Sequence, residues 1–177
     1  MGRYVDPGST YRPIDLVLPD RVSAVTDFEA IAKGMTMAVP FAGHLGVTVT
    51  SMAEGEAVAL LPERDELKNH VGSQHAGALF TVAETASGAA FVGAFAERMG
   101  EITPLARSAD VAYEKIAKGP IEASATLGMP KDEALATLDS AGKVEFPCEV
   151  ILTDAEGTQV ASATVRWHVR LNKPAAA

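Results

Sequence analysis

Residues 75–96, HAGALFTVAETASGAAFVGAFA, hold 22 residues of which only Glu84 carries a charge. A run this long is too long for an ordinary strand and reads as one helix over roughly residues 74–97. It is apolar or small on every face, so it has to be enclosed on most sides. At 1.5 Å per residue it is long enough to cross a bilayer. Yet Thr81, Glu84, Thr85 and Ser87 fall at mid-depth, and the run is rich in Gly and Ala. Those features place it inside protein rather than lipid, with no membrane partner.

The rest of the chain supplies the enclosure. Residues 1–25 carry Pro7, Pro13 and Pro19 without a clear period and read as an N-terminal extension. A helix follows, capped by Thr26 or Asp27, with Phe28, Ile31, Met35 and Val39 near helical spacing and Pro40 as its stop. Val47 and Val49, then Val58 and Leu60, alternate about a turn at Gly55 and predict a hairpin. After the long helix come two long strands broken at KGP, and a short amphipathic helix, KDEALATLDSAGK, stopped by glycine. A second hairpin turns at DAEG. Strands do not alternate with helices, so a doubly wound parallel sheet is disfavoured. The expected fold class is α+β, an antiparallel sheet holding one long central helix, in a single domain over residues 26–171 with a tail at 172–177.

Composition bounds the function. With 47% hydrophobic and 21% charged residues, the chain can form a packed core. Its net charge of −8 argues against nucleic-acid partners. The single cysteine, Cys148, excludes an intrachain disulfide and a cysteine zinc cluster, favours a reducing, cytoplasmic setting, and reads as a small buried hydrophobe. His44 and His168 lack ligand spacing with acidic partners, so no metal is expected, and no nucleotide-binding glycine loop or other cofactor signature is present.

Glu84 is the residue that needs explaining. Burying an unpaired carboxylate is costly or raises its pKa, and alanine would have served the helix better. Either Glu84 pairs with a cation across an interface, or it does chemistry. The helix start is the second clue: SQHAG offers free backbone N–H groups that bind an anion or polarise a carbonyl. Asn69 and Gln74 add neutral groups able to orient a water or a carbonyl. Glu84 lies nine residues beyond His75, roughly 13 Å along the axis, farther than its side chain reaches. The two features are therefore unrelated, or a second copy of the helix brings its own Glu84 across in a twofold dimer with two composite sites.

The stretch NHVGSQHAGALFTVAE resembles the signature of PaaI-like hotdog-fold thioesterases, and is most similar to a branch of uncharacterised thioesterase-like proteins. That pattern has Asn, then His-Gly-Gly six residues later, then a carboxylate nine residues after the His; the match is Asn69, His75 with Gly77, and Glu84. YEKIAKGP and the long strands after it fit as well, so the resemblance covers about residues 40–171. It implies the hotdog fold, a homodimer or dimer of dimers, and hydrolysis of acyl-CoA or a similar thioester. It assigns Glu84 as general base or nucleophile, Asn69 as the group positioning water or thioester, and the N–H of Ala76 as the carbonyl-polarising amide, with Gln74, His75 and Gly77 around the substrate.

Three departures stand out. The family's first glycine after the His is Ala76, the carboxylate is Glu rather than Asp, and the position where some relatives carry Ser is Ala106. Ser108, two residues on and on the same face of a regular strand, is the candidate substitute. Arg107, Lys115, Lys118, Arg166 and Arg170 either hold CoA phosphates or are solvated strand charges. Trp167, Phe80, Phe91 and Phe95 are expected to pack the core, some of the phenylalanines lining an acyl pocket. The alternative to an enzyme is a non-catalytic acyl-ligand binder on the same fold, suggested by Ala76.

Overall fold

A computed structural model describes residues 27–172. The extension expected over residues 1–25, the candidate cap Thr26 and residues 173–177 of the tail lie outside them. The chain runs α1 (Phe28–Ala38), α2 (Pro40–Leu45), β1 (Thr48–Ala53), β2 (Glu56–Leu61), α3 (Ala76–Phe95), β3 (Ile102–Tyr113), β4 (Ile121–Leu127), α4 (Lys131–Ala141), β5 (Lys143–Thr153) and β6 (Gln159–Leu171). The six strands form one antiparallel sheet in the order β1-β2-β4-β5-β6-β3. The sheet wraps around α3, which packs against β1, β2, β4, β5 and β6. This is the α+β arrangement expected from the sequence.

Small residues set how deeply α3 sits. Ala83, Ala86, Ala89 and Ala90 of α3 are buried, as are Ala57 and Ala59 of β2 and Ala123 and Ala125 of β4. The inner face of β2 is thus carried by Ala57, Ala59 and Leu61, and the larger Val58 and Leu60 are only half-buried. Small side chains on both surfaces let helix and sheet approach closely, with the dispersion gains of dense packing. The approach is tightest at Gly93, where an added Cβ would lie 2.0 Å from the carbonyl oxygen of Ala53. Beyond it the space opens and is filled by aromatics. Phe91 lies 5.0 Å from Phe95, 5.8 Å from Phe146 and 5.6 Å from Trp167, centroid to centroid. Trp167 Nε1 donates to Ser87 Oγ at 3.2 Å, so the buried indole N–H is satisfied.

Local signals explain the helix ends. Asp27 Oδ1 caps α1 by accepting from the N–H of Ala30 at 3.0 Å. Pro40 does more than stop α1: it is the first residue of α2, where its fixed φ and missing N–H suit a helix start. Gly142 closes α4 with φ of +70°. Cys148 is buried, and burial pushes its thiol up to about 12.

Gly93→Ala is expected to destabilise the fold by about 3 kcal/mol or more, because the clash is with backbone that cannot rotate away. Chemical denaturation of the variant beside Gly100→Ala, where an added Cβ meets nothing, isolates the steric part. A Gly93→Ala midpoint equal to that of Gly100→Ala would show that the helix does not sit this close to β1.

Candidate functional site

The loop before α3 is held from two sides. Asn69 Oδ1 accepts from the N–H groups of Val71 at 3.0 Å and Ser73 at 3.1 Å, closing a tight turn. Ser73 Oγ donates to the carbonyl of Ala117 at 3.1 Å and accepts its N–H at 3.0 Å. The loop is thereby clipped to the connection between β3 and β4. Asn69 is thus a turn residue whose Nδ2 group makes no hydrogen bond among the described residues.

Gln74 differs from expectation. It is only 2% exposed, and its Nε2 donates to the carbonyls of Pro62 at 3.0 Å and Gly119 at 2.9 Å. Its amide donors are spent joining the end of β2 to the β3–β4 connection. Only Oε1, buried without a partner among the described residues, remains. The residue's main work is structural.

His75 caps α3 with its own ring: Nδ1 accepts the N–H of Gly77 at 3.0 Å. An accepting Nδ1 puts the proton of the neutral ring on Nε2. Gly77 has to be small, since a Cβ there would lie 3.2 Å from that Nδ1. The carbonyl of His75 receives the N–H groups of Ala78 and Leu79. The N–H of Ala76 has no acceptor among the described residues, and Ala76 is exposed. A free first-turn amide at the positive end of a long helix is a carbonyl-polarising group. The hydroxyl of Tyr113 donates to the carbonyl of Ala76 at 3.1 Å, a contact invisible at the level of sequence motifs.

Most of α3 is buried, but its first turns are open along one stripe. Ala76 and Gly77 are exposed, Phe80 is 39% exposed, and Glu84 is half-buried. These positions recur at the spacing of one helical face. Phe80 is therefore a wall of the opening and not a core residue, whereas Phe91 and Phe95 are core. Thr81 and Thr85 on the neighbouring rows turn their hydroxyls back onto the carbonyls of Gly77 and Thr81, both at 2.8 Å. Among the described residues no hydrogen bond or ion pair satisfies the carboxylate of Glu84. Burial alone pushes its pKa above the usual carboxylate value.

Two hollows flank the helix start, and they divide the expected residues. One, of about 440 Å³, is lined by His75, Gly77 and Glu84 together with apolar side chains of α2 and α3. The other, of about 470 Å³, is lined by Asn69, Gln74 and Ala76 with Tyr113 and Lys115. Glu84 does not line the groove that holds Asn69 and Ala76. Within one chain the carboxylate and the free amide face different spaces.

Ser108 belongs to neither. The register of β3 against β6 shifts between Ala106 and Ser108, leaving Arg107 as the extra residue of a bulge. Ala106 pairs with the buried Trp167, while Ser108 pairs with the exposed Arg166. The bulge flips the alternation, so Ser108 lies on the outer face of the sheet, away from α3, and does not share the face of Ala106. Arg107 ion-pairs with Glu145, which also accepts from His168 at 2.9 Å. Arg166 and Arg170 are exposed on that outer face, and of the five candidate cations only Lys115 lines the groove of Asn69. Among the described residues, no group of His, Cys, Asp or Glu is arranged to hold a metal ion.

A wrapped antiparallel sheet around one long central helix defines the hotdog fold. A probable thioesterase of unknown function from Pseudomonas aeruginosa is 26% identical, with 81% of this chain and 96% of that one covered and a TM-score of 0.72. The PaaI protein of the Escherichia coli phenylacetic acid degradation operon is 21% identical over 72% of this chain and 86% of its own, at a TM-score of 0.58. A hypothetical thioesterase from Streptococcus pneumoniae, solved with coenzyme A, is 19% identical over 72% and 88%, at a TM-score of 0.56. No curated protein matches the chain in sequence. Residues 28–169 match the family described as a domain of unknown function, DUF4442, and the chain belongs to that family.

Because the pKa of Glu84 is raised in the fold, the proton is held more tightly there than in the unfolded chain. Its contribution to stability is complete below the usual carboxylate value of 4.5 and is lost as pH rises through the folded-state value. Glu84→Gln removes that loss. The variant is expected to melt higher than the parent at pH 8, with the difference shrinking steadily as the pH is lowered towards 4.5. A variant that melts lower at pH 8 would mean that the carboxylate has a cationic partner in the assembled protein.

Proposed function

We propose that the protein hydrolyses acyl-CoA or a closely related acyl thioester to free acid and thiol. The observation that carries this reading is Glu84. It is a carboxylate with no partner among the described residues, made more basic by burial, and it stands in the wall of a mostly apolar cavity on the one open stripe of the central helix. A carboxylate whose pKa is raised towards neutrality is a better general base than an ordinary surface glutamate. The names of the structural relatives support thioester chemistry in general.

Two routes are open to Glu84. As a general base it takes a proton from water while the water oxygen attacks the thioester carbonyl carbon. The tetrahedral intermediate then expels the thiolate, which recovers the proton as the carbon–sulfur bond breaks. As a nucleophile it attacks the carbonyl carbon itself and releases the thiolate, and water cleaves the resulting anhydride. In both, negative charge develops on the carbonyl oxygen, and the free N–H of Ala76 is the group suited to receive it. Asn69 Nδ2 is suited to hold the water or the carbonyl.

Carboxylate and amide have to come from different copies of the chain to meet on one thioester. This is supported by the roughly 12 Å along the helix axis between them and by the division of the site residues between two hollows. Two further features support a dimer. β3 is a twelve-residue strand at the edge of the sheet, mostly exposed. Among the described residues, six of the eight exposed large apolar side chains lie around the two hollows, Val39, Phe41 and Phe80 beside one and Val71, Tyr113 and Ile116 beside the other. Such patches mark surfaces that are covered in the working assembly.

The test is complementation between two inactive variants. Glu84→Gln removes the base. Ala76→Pro removes the amide with little disturbance, since proline suits the first helical position and His75 already has the extended conformation a residue before proline needs, φ −66° and ψ 139°. Each alone is expected to lose activity on acyl-CoA by roughly 10²-fold or more. Equal parts unfolded together and refolded are expected to regain roughly a quarter of wild-type activity. Half the dimers are then mixed, and each mixed dimer has one intact site of two. Two inactive variants that show no recovery despite exchanging subunits would place both groups in one chain's site. A folded Glu84→Gln with wild-type rates would remove Glu84 as the catalytic carboxylate, and a wild-type protein that hydrolyses no thioester would remove the hydrolase assignment.

A further inference from the structure

We infer that the hollow beside Glu84 is the binding site for the acyl group, and that it selects neutral, apolar acyl chains of medium length while rejecting acyl groups that end in a second carboxylate. The inference rests on the thioesterase reading and adds the substrate class to it. The space is about 440 Å³, within the ordinary range for a small-molecule site. One side is Phe80 of α3; the other is built from Val39, Phe41 and Leu45 at the joint of α1 and α2. Phe41 is 64% exposed and Phe80 39% exposed, so an apolar ligand between them removes surface that water now covers. The carboxylate of Glu84 stands in the same wall, where the reacting carbonyl has to lie, and the tail then extends towards α2.

The charges decide what kind of tail fits. Glu66 and Glu84 both line the hollow, and no lysine or arginine does so among the described residues. His75 is turned back on the helix start, its Nδ1 occupied by the N–H of Gly77. A succinyl or malonyl tail would bring another anion beside two carboxylates, with no lysine or arginine of the same chain in the lining to neutralise it. A plain hydrocarbon tail meets none of that cost. α2 is therefore a selectivity element, and Val39 and Leu45 are the residues that set how much chain is accepted.

The experiment measures kcat/KM of the wild-type protein on acetyl-, butyryl-, hexanoyl-, octanoyl-, decanoyl- and succinyl-CoA. Val39→Trp and Leu45→Trp are assayed alongside, and binding of 1-decanol, a neutral apolar probe, is followed by calorimetry. Each added pair of methylenes is expected to raise kcat/KM by about tenfold until the hollow is full, and succinyl-CoA to fall roughly a hundredfold below butyryl-CoA. Both tryptophans are expected to move the optimum to shorter chains and to weaken decanol binding. Val39 is exposed, so Val39→Trp keeps the comparison decisive if Leu45→Trp does not fold. Succinyl-CoA turned over as well as butyryl-CoA, or a chain-length profile unmoved by a folded Val39→Trp, would overturn the acyl-site inference while leaving the hydrolase reading standing. If no thioester is hydrolysed but decanol binds and Val39→Trp weakens it, the hydrolase reading fails and the apolar site remains. Absence of decanol binding to the wild-type protein overturns the site.

Discussion

The fold depends on how closely α3 can lie against the sheet. That distance is set by side chains that are nearly absent: alanines on both surfaces and, at the tightest point, Gly93 against the Ala53 carbonyl. Helix and sheet are held in contact along a line of small residues and then wedged by the Phe91, Phe95, Phe146 and Trp167 cluster at the far end. A helix fixed in this way has no freedom to roll, because rotation would drive a larger side chain into backbone. The open stripe over Gly77, Phe80 and Glu84 is the consequence. It is the part of the helix circumference that the sheet, fully engaged with the rest, leaves uncovered.

Glu84 is where stability and chemistry pull in opposite directions. Nothing among the described residues compensates its partial burial, and its raised pKa is the direct expression of that. Proteins keep such groups where the perturbed proton affinity is itself useful. The neighbouring polar groups of α3 behave in the opposite way. Thr81, Thr85 and Ser87 each return a hydrogen bond to the helix backbone, and Ser87 also accepts the Trp167 indole N–H. They are polar residues that a buried helix can absorb at little cost. A glutamate is too long and too strongly charged to be absorbed that way, which is why it alone lies on the open stripe.

The fold class was legible because it follows from enclosure. A long helix without a polar face needs walls on most sides, and only the flanking strands are available to provide them. That Glu84 is a partly buried carboxylate without a partner among the described residues was legible on the same ground. The faces of the strands were less so. The period-two reading put Ser108 with Ala106, but the bulge at Arg107 reverses every side chain beyond it, and nothing in PLARSADVAY marks a bulge. Gln74 read as a free polar group at a helix start, because the carbonyls that occupy it, on Pro62 and Gly119, are distant in sequence. The cavity wall was hidden by Pro40, whose stop signal for α1 is equally a start signal for α2. For Ser108 and Gln74 the deciding contact is long-range and local pattern carries no information about it, whereas the Pro40 signal is local but ambiguous.

The anchoring of α3 also bears on how a site could be assembled. Its start is clipped by Ser73 and Gln74 to the β3–β4 connection, and its far half is locked against β1 and the aromatic cluster. Both ends of the roughly 12 Å that separate the Ala76 amide from Glu84 are therefore fixed to the same sheet. No hinge within one chain can shorten that distance without unpacking the core. If the two groups act on one thioester, the missing partner has to arrive from outside, carrying its own helix in the opposite sense. The apolar rims at Phe41 and Ile116 are where the surface of one chain is left ready for that contact. Rigidity, which a single chain needs in order to bury this helix, is also why the proposed mechanism calls for a second chain.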